Sequence, residues 1–279
     1  MDLFIVVLAI LFLQVWGADN PFHKDEWVKR WVEYLDNSFS PGASLLFFLA
    51  VGLPILAASL VMYTIATVSY WPLLPISVFI LLYSFGRGEF TNIVTEYTQA
   101  CFDEDWDSAL ERAGKLDVDL TGLAPNDWDT LHQHVLDEAA YRGFERMFAV
   151  LFWFFIFGPL GALLYRLVFL FNHGANGENK SAKKWLWVLE WPAVRVLGLS
   201  FAMTGNFVGC IRRWHDSLFC VTRPTHMTIG QSVLGALSIE DDLDQTCEVT
   251  RKELSLLDKL YLRTLWFWLG AIAVFILVS

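Results

Sequence analysis

Apolar and polar positions fall in long blocks along the chain, the pattern of helices joined by polar connections. From Asn37 to Gly86 there is no Asp, Glu, Lys or Arg, a run of 50 residues. A helix needs only ~20 to cross a hydrocarbon layer, so the run is long enough for two crossings. Pro72 and Pro75, beside Tyr70 and Trp71, are turn and interface residues. They divide the run into a helical hairpin over 43–66 and 72–85. The second arm is short, and we expect it tilted or partly buried in a bundle. At 3–16 lies another apolar stretch, preceded by Asp2 in place of a basic residue and followed by the poor cleavage sequence Val15-Trp16-Gly17-Ala18. That combination predicts an uncleaved first membrane helix. The final stretch, 264–279, is uncharged after Arg263 and carries Trp266 and Trp268 near its start, which predicts a C-terminal membrane helix.

Two segments are less clean. The stretch 147–171 is apolar except for Arg166, but Gly158-Pro159-Leu160-Gly161 interrupts it, and Pro with two Gly favours a turn. A re-entrant hairpin and a single span both remain open. The stretch 185–207 contains Glu190, Pro192 and Arg195, so it either crosses inside a protein bundle or lies in the interface.

Between these blocks the periodicity changes. Phe90, Ile93, Val94, Tyr97 and Cys101, then Trp106, Ala109, Leu110 and Ala113, recur at steps of three and four, the spacing of an amphipathic helix or helix pair. A loop follows over 114–125. Asn126-Asp127-Trp128-Asp129 then opens another helix, carrying Leu131, Leu136, Ala140 and Phe144 and running into the apolar stretch at Met147.

Composition sharpens this reading. The chain is 55% hydrophobic, 16% aromatic and 18% charged, with a mean hydropathy of +0.44. A soluble domain carries about 25% charged residues, so disorder and an ordinary water-surrounded domain are both excluded. The net charge of −10 is concentrated in 87–146, where 14 Asp plus Glu face five Lys plus Arg. The expected fold is therefore all-α, a polytopic integral membrane helical bundle with an α-helical insertion. Its expected divisions are membrane helices in 1–86, an acidic helical domain in 87–146, membrane or re-entrant helices in 147–207, a polar segment in 208–263 and a last membrane helix in 264–279. With the amino terminus outside, 17–42, 87–146 and 208–263 hold 3, 5 and 7 Lys plus Arg, and the positive-inside rule places the acidic domain in the cytoplasm. The three basic residues of 172–184 favour the re-entrant form of 147–171. The lipid bilayer is the first expected partner, and the acidity argues against nucleic acid.

Most candidate motifs carry little chemistry. Gly174-Ala-Asn-Gly-Glu-Asn-Lys180-Ser181 misses the phosphate-loop pattern by one residue, Asn179 standing where Gly is needed. It follows no strand, so a Gly/Asn loop with a basic end is the plainer account. Cys101, Cys210, Cys220 and Cys247 contain no C-x-x-C pair, so neither a disulfide framework nor a zinc ribbon is indicated, and reduced thiols are expected. Cys210, His215, Cys220 and His226 match no standard ligand spacing. His132 and His134 point to different faces of their helix, which favours solvent exposure over a shared metal. The sequence names no cofactor, catalytic residue or metal ligand set.

Ionisable residues at membrane depth are more informative. Arg166, Glu190 and Arg195 would each cost ~2.5–3.5 kcal/mol at a helix centre facing lipid. They must be paired, line a polar cavity or reach the interface. Asp137, Glu138 and Glu145 just precede 147–171 and are candidate partners, whereas Glu190 and Arg195, five apart, meet only imperfectly across a turn.

Leu151-Phe-Trp, Gly158-Pro-Leu-Gly-Ala-Leu-Leu-Tyr-Arg166, and Leu189-Glu-Trp-Pro-Ala-Val-Arg195 with Gly198 resemble the AmpE family of bacterial inner-membrane proteins. That family is distantly related to the CobD/CbiB adenosylcobinamide-phosphate synthases. The resemblance implies a CobD/CbiB-like fold and a multi-pass protein that modulates β-lactamase induction, functionally linked to the AmpD amidase of cell-wall recycling. Against the synthase signature, the first Glu falls at Asp137, the central Glu-Asn pair at Tyr141-Arg142 and the Asp at Glu145, while Val150 replaces the Pro before Leu-Phe-Trp. Arg195 matches a synthase Arg with its Pro displaced by one residue, and Tyr165-Arg166 matches a Tyr-Lys/Arg position. The scaffold is thus expected without intact synthase chemistry. The expected ligand site is Asp137, Glu138, Arg142, Glu145, Arg166, Glu190 and Arg195 at the cytoplasmic mouth of the bundle, taking a small polar ligand or muropeptide. The rival reading is an ATP-dependent amide-forming synthase; a transporter is a third, for which the inverted repeat is missing.

Overall fold

The computed structural model describes residues 2–16, 25–39, 42–86, 90–118, 120–174, 179–218, 224–238 and 246–278. Over these residues it is all-helical and has no strand. In chain order the helices are α1 (Asp2–Trp16), α2 (Glu26–Phe39), α3 (Ala43–Val68), α4 (Leu73–Ser84), α5 (Phe90–Phe102), α6 (Trp106–Lys115) and α7 (Trp128–Gly143). A π-helical turn, Phe144–Phe148, leads into α8 (Ala149–Phe157), α9 (Pro159–His173), α10 (Lys180–Thr204), α11 (Phe207–Leu218), α12 (Thr225–Leu237) and α13 (Cys247–Val278). The near-phosphate-loop residues 175–178 and Cys220 lie outside the described residues.

The chain forms two compact units. One is Met1–Arg87 with Glu145–Ala193; the other is Gly88–Phe144 with Val194–Ser279.

In the first unit the two apolar arms expected over 43–66 and 72–85 are helices, α3 and α4, and both pack on α9. α3 carries no charged residue and leaves Leu56, Leu60, Val61 and Tyr63 exposed, an apolar surface that water alone would penalise. α3 and α10 are the two described helices long and apolar enough to cross a membrane. α4 is short and largely buried, as expected, through Val78, Leu81, Leu82 and Tyr83. α2 is amphipathic, burying Val28, Val32 and Leu35 while Lys29, Arg30, Glu33 and Asp36 face outward. Its placement at i, i+4 and i+7 is what puts these three residues on one face.

The break at Gly158-Pro159 is real. Gly158 has φ 66° and ψ −156°, a conformation open essentially to glycine alone, and Pro159 then takes the first helical position, where its missing N–H costs nothing. α8 and α9 pack on each other as a hairpin, so 147–171 is not a straight rod.

In the second unit, α5 and α6 are the predicted amphipathic pair. Tyr97, Ala100, Ala109, Ala113, Leu116, Leu131 and Val135 close a core with Trp106 and Trp128 against it. Asp105 and Asp127 cap α6 and α7 by accepting from the backbone N–H of Ser108 and Thr130, satisfying donors a helix start leaves open. α7 also packs on α12 and α13. The expected polar segment 208–263 is thus three packed helical stretches, and the apolar 264–279 continues α13 without a break across its described length.

The π turn has a local cause. The Tyr261 hydroxyl donates to the Ala140 carbonyl, and its ring lies where a Cβ on residue 143 would stand, so only Gly143 fits. A side chain inserted into the carbonyl ladder shifts the helix out of i−4 register. Glu145 is the second residue of that turn.

Candidate functional site

The first unit buries a charged cluster. Arg166 on α9 is 3% exposed, and its Nη2 donates to Asp25 Oδ2 at 3.1 Å. Its Nη1 lies 3.9 Å from Glu145 Oε2, and the guanidinium sits 5.6 Å from the Phe169 ring centroid. Asp25 stands just before the first turn of α2, 141 residues from Arg166 in sequence. One turn position away, Tyr165 donates its hydroxyl to Glu190 Oε1 on α10 at 3.3 Å. Glu190 is likewise 3% exposed. Trp153 fixes the adjoining backbone by donating to the Leu189 carbonyl at 3.1 Å, and Trp27 donates to the Tyr83 hydroxyl at 2.8 Å.

Two carboxylates, Asp25 and Glu145, therefore flank one guanidinium out of water, and the Tyr165–Glu190 hydrogen bond starts from the neighbouring residue of the same helix. Buried charges persist only when paired and hydrogen-bonded, and a guanidinium can serve two carboxylates because it presents five donors in a fixed fork. The arrangement is rich in acceptors, so chemically it suits a donor-bearing group such as an amine or hydroxyl. It offers no nucleophile beside a base.

The seven residues expected to form a site divide between the units. Glu145, Arg166 and Glu190 come together in the first, and of the candidate partners named for Arg166, Glu145 is the one that meets it. Asp137, Glu138, Arg142 and Arg195 belong to the second. There, Glu138 accepts from Arg142 Nε at 3.2 Å, one helical turn away, and Arg142 Nη2 also pairs with Asp117 and reaches the Leu116 carbonyl at 3.5 Å. This ties the start of the α6–α7 loop to α7. Asp137 faces the backbone of α12 at Gly230, where its carboxylate occupies the space a Cβ would need. Burial pushes its pKa up to about 7, since desolvation disfavours the charged form. The Arg195 carbonyl accepts from Trp214 Nε1 at 2.9 Å.

Asp25 and Tyr83 escape the sequence reading because each lies far along the chain from its partner. Tyr165, adjacent to the conspicuous Arg166 and matching a motif position, carried the available signal.

The cysteines and His132 require correction. Reduced thiols were expected, yet Cys101 on α5 and Cys247 on α13 form a disulfide. The expectation failed because disulfide pairing over 146 residues leaves no local spacing pattern. His132 was expected in solvent and is 1% exposed, donating or accepting at Nδ1 with the Tyr97 hydroxyl at 2.6 Å. Its pKa is lowered to about 4, chiefly by burial and against the opposing charge of Asp129. Cys210 is buried on α11 rather than in a polar loop, its thiol directed at the carbonyls of Gly198 and Ser232.

The chain matches a known protein family over most of its length. The family described as "Regulatory signalling modulator protein AmpE" matches residues 1–265. No curated protein and no solved structure matches the chain.

Proposed function

Because the chain belongs to the AmpE family of regulatory signalling modulators, we propose that it works at a bacterial inner membrane to modulate β-lactamase induction by binding a small polar ligand derived from the cell wall. The observation carrying the ligand reading is the buried Asp25–Arg166–Glu145 group beside Tyr165–Glu190. Ionisable residues inside apolar helices are rare and functional more often than not. The exposed apolar face of α3 and the two helices long enough to span support membrane residence, and the Lys and Arg distribution supports a multi-pass topology with the acidic helices in the cytoplasm. Asp137, Glu138, Arg142 and Arg195 complete the set of candidate ligand-binding residues and belong to the second unit. Catalysis is not required: the synthase carboxylate-Asn signature is replaced at Tyr141-Arg142.

Induction of β-lactamase in a strain lacking its own AmpE tests this. The wild-type gene is expected to alter the induction threshold, and Arg166→Lys, which keeps the charge but loses the fork, to reduce the effect at equal membrane abundance. Unchanged induction with Arg166→Lys and with Glu190→Gln would overturn the ligand site. Restoration of cobalamin synthesis in a synthase-deficient strain would replace the regulatory reading with an enzymatic one.

A further inference from the structure

A second cluster lies in the other unit and plays no part in the reading above. Cys101, His132 and Cys247 come from α5, α7 and α13, three helices that meet in the second unit, and their donor atoms all lie within 4.8 Å of one another. Cys101 Sγ is 3.6 Å from His132 Nε2. The other ring nitrogen is held by Tyr97 at 2.6 Å, so the imidazole presents Nε2 to the sulfurs in a fixed orientation. Trp128, tilted against the imidazole at 5.6 Å between centroids, packs its remaining face.

A disulfide that only staples two helices has no use for an oriented imidazole beside it. Two thiolates and one imidazole nitrogen are, by contrast, a standard ligand set for Zn2+. With Zn–S of about 2.3 Å and Zn–N of about 2.0–2.1 Å, tetrahedral angles place sulfur and nitrogen about 3.5 Å apart, which is the spacing already present between Cys101 and His132. A ligand histidine also characteristically donates its second N–H to an oxygen, the position Tyr97 fills. What the disulfide form lacks is separation between the two sulfurs.

We propose that Cys101, His132 and Cys247 form a redox-gated binding site for a thiophilic divalent cation such as Zn2+. In the oxidised form the S–S bond consumes both sulfur donors and the ion is excluded. A dithiol reductant opens the site: its two thiols become a disulfide, and the two electrons and two protons released break the Cys101–Cys247 bond and leave two thiols. Binding of the cation then displaces both thiol protons to solvent, with Nε2 of His132 as third ligand and solvent in the fourth position. Cys247 is the half-exposed member and Cys101 the buried one, so reductant enters at Cys247 in the first turn of α13. Either state ties α13 to α5; only the cation-bound one also ties both to α7.

The test uses the full chain in detergent, split into an oxidised sample and one reduced anaerobically with a phosphine that does not bind metal. Each is titrated with Zn2+ against a chromophoric chelator and, separately, with Co2+, whose thiolate charge-transfer band reports sulfur ligation. The reduced protein is expected to take up one equivalent and show the band, and the oxidised protein neither. His132→Gln should keep the band while binding the ion more weakly, and Cys101→Ser/Cys247→Ser should lose it. The wild-type comparison needs no variant to fold. Equal uptake in both wild-type samples, no uptake in the reduced one, or an unchanged band in the double Cys variant would each overturn the proposal. None of these results bears on β-lactamase induction, so this site and the Arg166 site fail separately.

Discussion

The two units hold their interiors together by opposite means. In the first, a guanidinium and carboxylates are buried together: Arg166, Asp25 and Glu145 are each under about a tenth exposed. In the second, several buried polar contacts among the described residues are neutral. Thr204 meets Thr264 at 2.9 Å, Trp268 donates to Ser200 at 2.8 Å, and Tyr97 meets His132, while glycines let helices approach closely, as where Gly198 faces Trp214. Losing one member of a buried neutral pair costs about 1–3 kcal/mol, whereas a buried charge left alone costs about 3–5 kcal/mol. The first unit has thus concentrated its risk in one place. That is a poor way to gain stability, since a buried ion pair is often matched by apolar residues, and it is the physical ground for expecting a function there.

The sharpest test removes the shared cation. Arg166→Met leaves two buried carboxylates facing each other and is expected to destabilise the protein by about 3–5 kcal/mol, read as a lowered thermal midpoint in detergent. Arg166→Met combined with Asp25→Asn and Glu145→Gln should recover much of that loss, because the cost resides in the stranded charge. If the single and the combined variants melt alike, the cluster is held by packing and the contrast between the units disappears.

This contrast was only half legible in sequence. The two apolar arms of α3 and α4, the break at Gly158-Pro159 and the amphipathic face of α5–α6 all declare themselves locally, through charge-free length, a glycine-only backbone and three-four spacing. Arg166 stood out because its surroundings are apolar, and Glu145 because it lies just ahead of the same stretch. Asp25 did not, since an acidic residue in a polar segment looks solvated until the fold brings α2 against α9. The Cys101–Cys247 bond was invisible for the same reason: a tertiary contact over 146 residues leaves no trace in periodicity. The side chain of Asp137 is turned toward Gly230 of α12, a contact that no spacing pattern announces.

The second unit also places carboxylates out of water, at Glu253 and Asp137, and Asp137 offers the next test. Its carboxyl is pushed up to about 7 by burial, against about 3.9 in an unfolded chain. Between pH ~4 and ~7 the folded form holds a proton the unfolded form has lost, so stability falls as pH rises through that window and stays low above it. Asp137→Asn removes this slope. It should raise stability at pH 8 by about 2–4 kcal/mol and change little at pH 4, measured by denaturant unfolding at both. A slope unaltered by the substitution would place the titrating group elsewhere.

A smaller effect is expected at the start of α7. Asp127→Ala removes the cap on the Thr130 N–H and should cost about 1 kcal/mol, with faster amide exchange confined to the first turn of the helix. Asp127→Ser, which can still accept that hydrogen bond, should restore most of it. Loss of protection throughout α7 would mean that this helix start anchors more of the second unit than a cap does.

The smallest effect completes the comparison, because it sets two ion pairs of similar distance and very different burial side by side. Arg112 Nη1 and Glu96 Oε2 stand 2.8 Å apart, with side chains 33% and 52% exposed; Arg166 and Asp25 stand 3.1 Å apart at 4% and 8%. By distance the first pair is the tighter. In water, however, both partners keep most of their hydration, the attraction is weakened by the high dielectric and ordering two long side chains offsets part of the gain. Glu96→Gln is therefore expected to shift stability by less than ~1 kcal/mol and to lose even that at 1 M salt, where the screening length falls to ~3 Å. The Arg166→Met penalty should persist at the same salt, since ions do not reach a pair closed off by protein. Should the two penalties fall together as salt is raised, the Arg166 cluster is open to solvent, and the charge it holds costs too little to argue for a ligand.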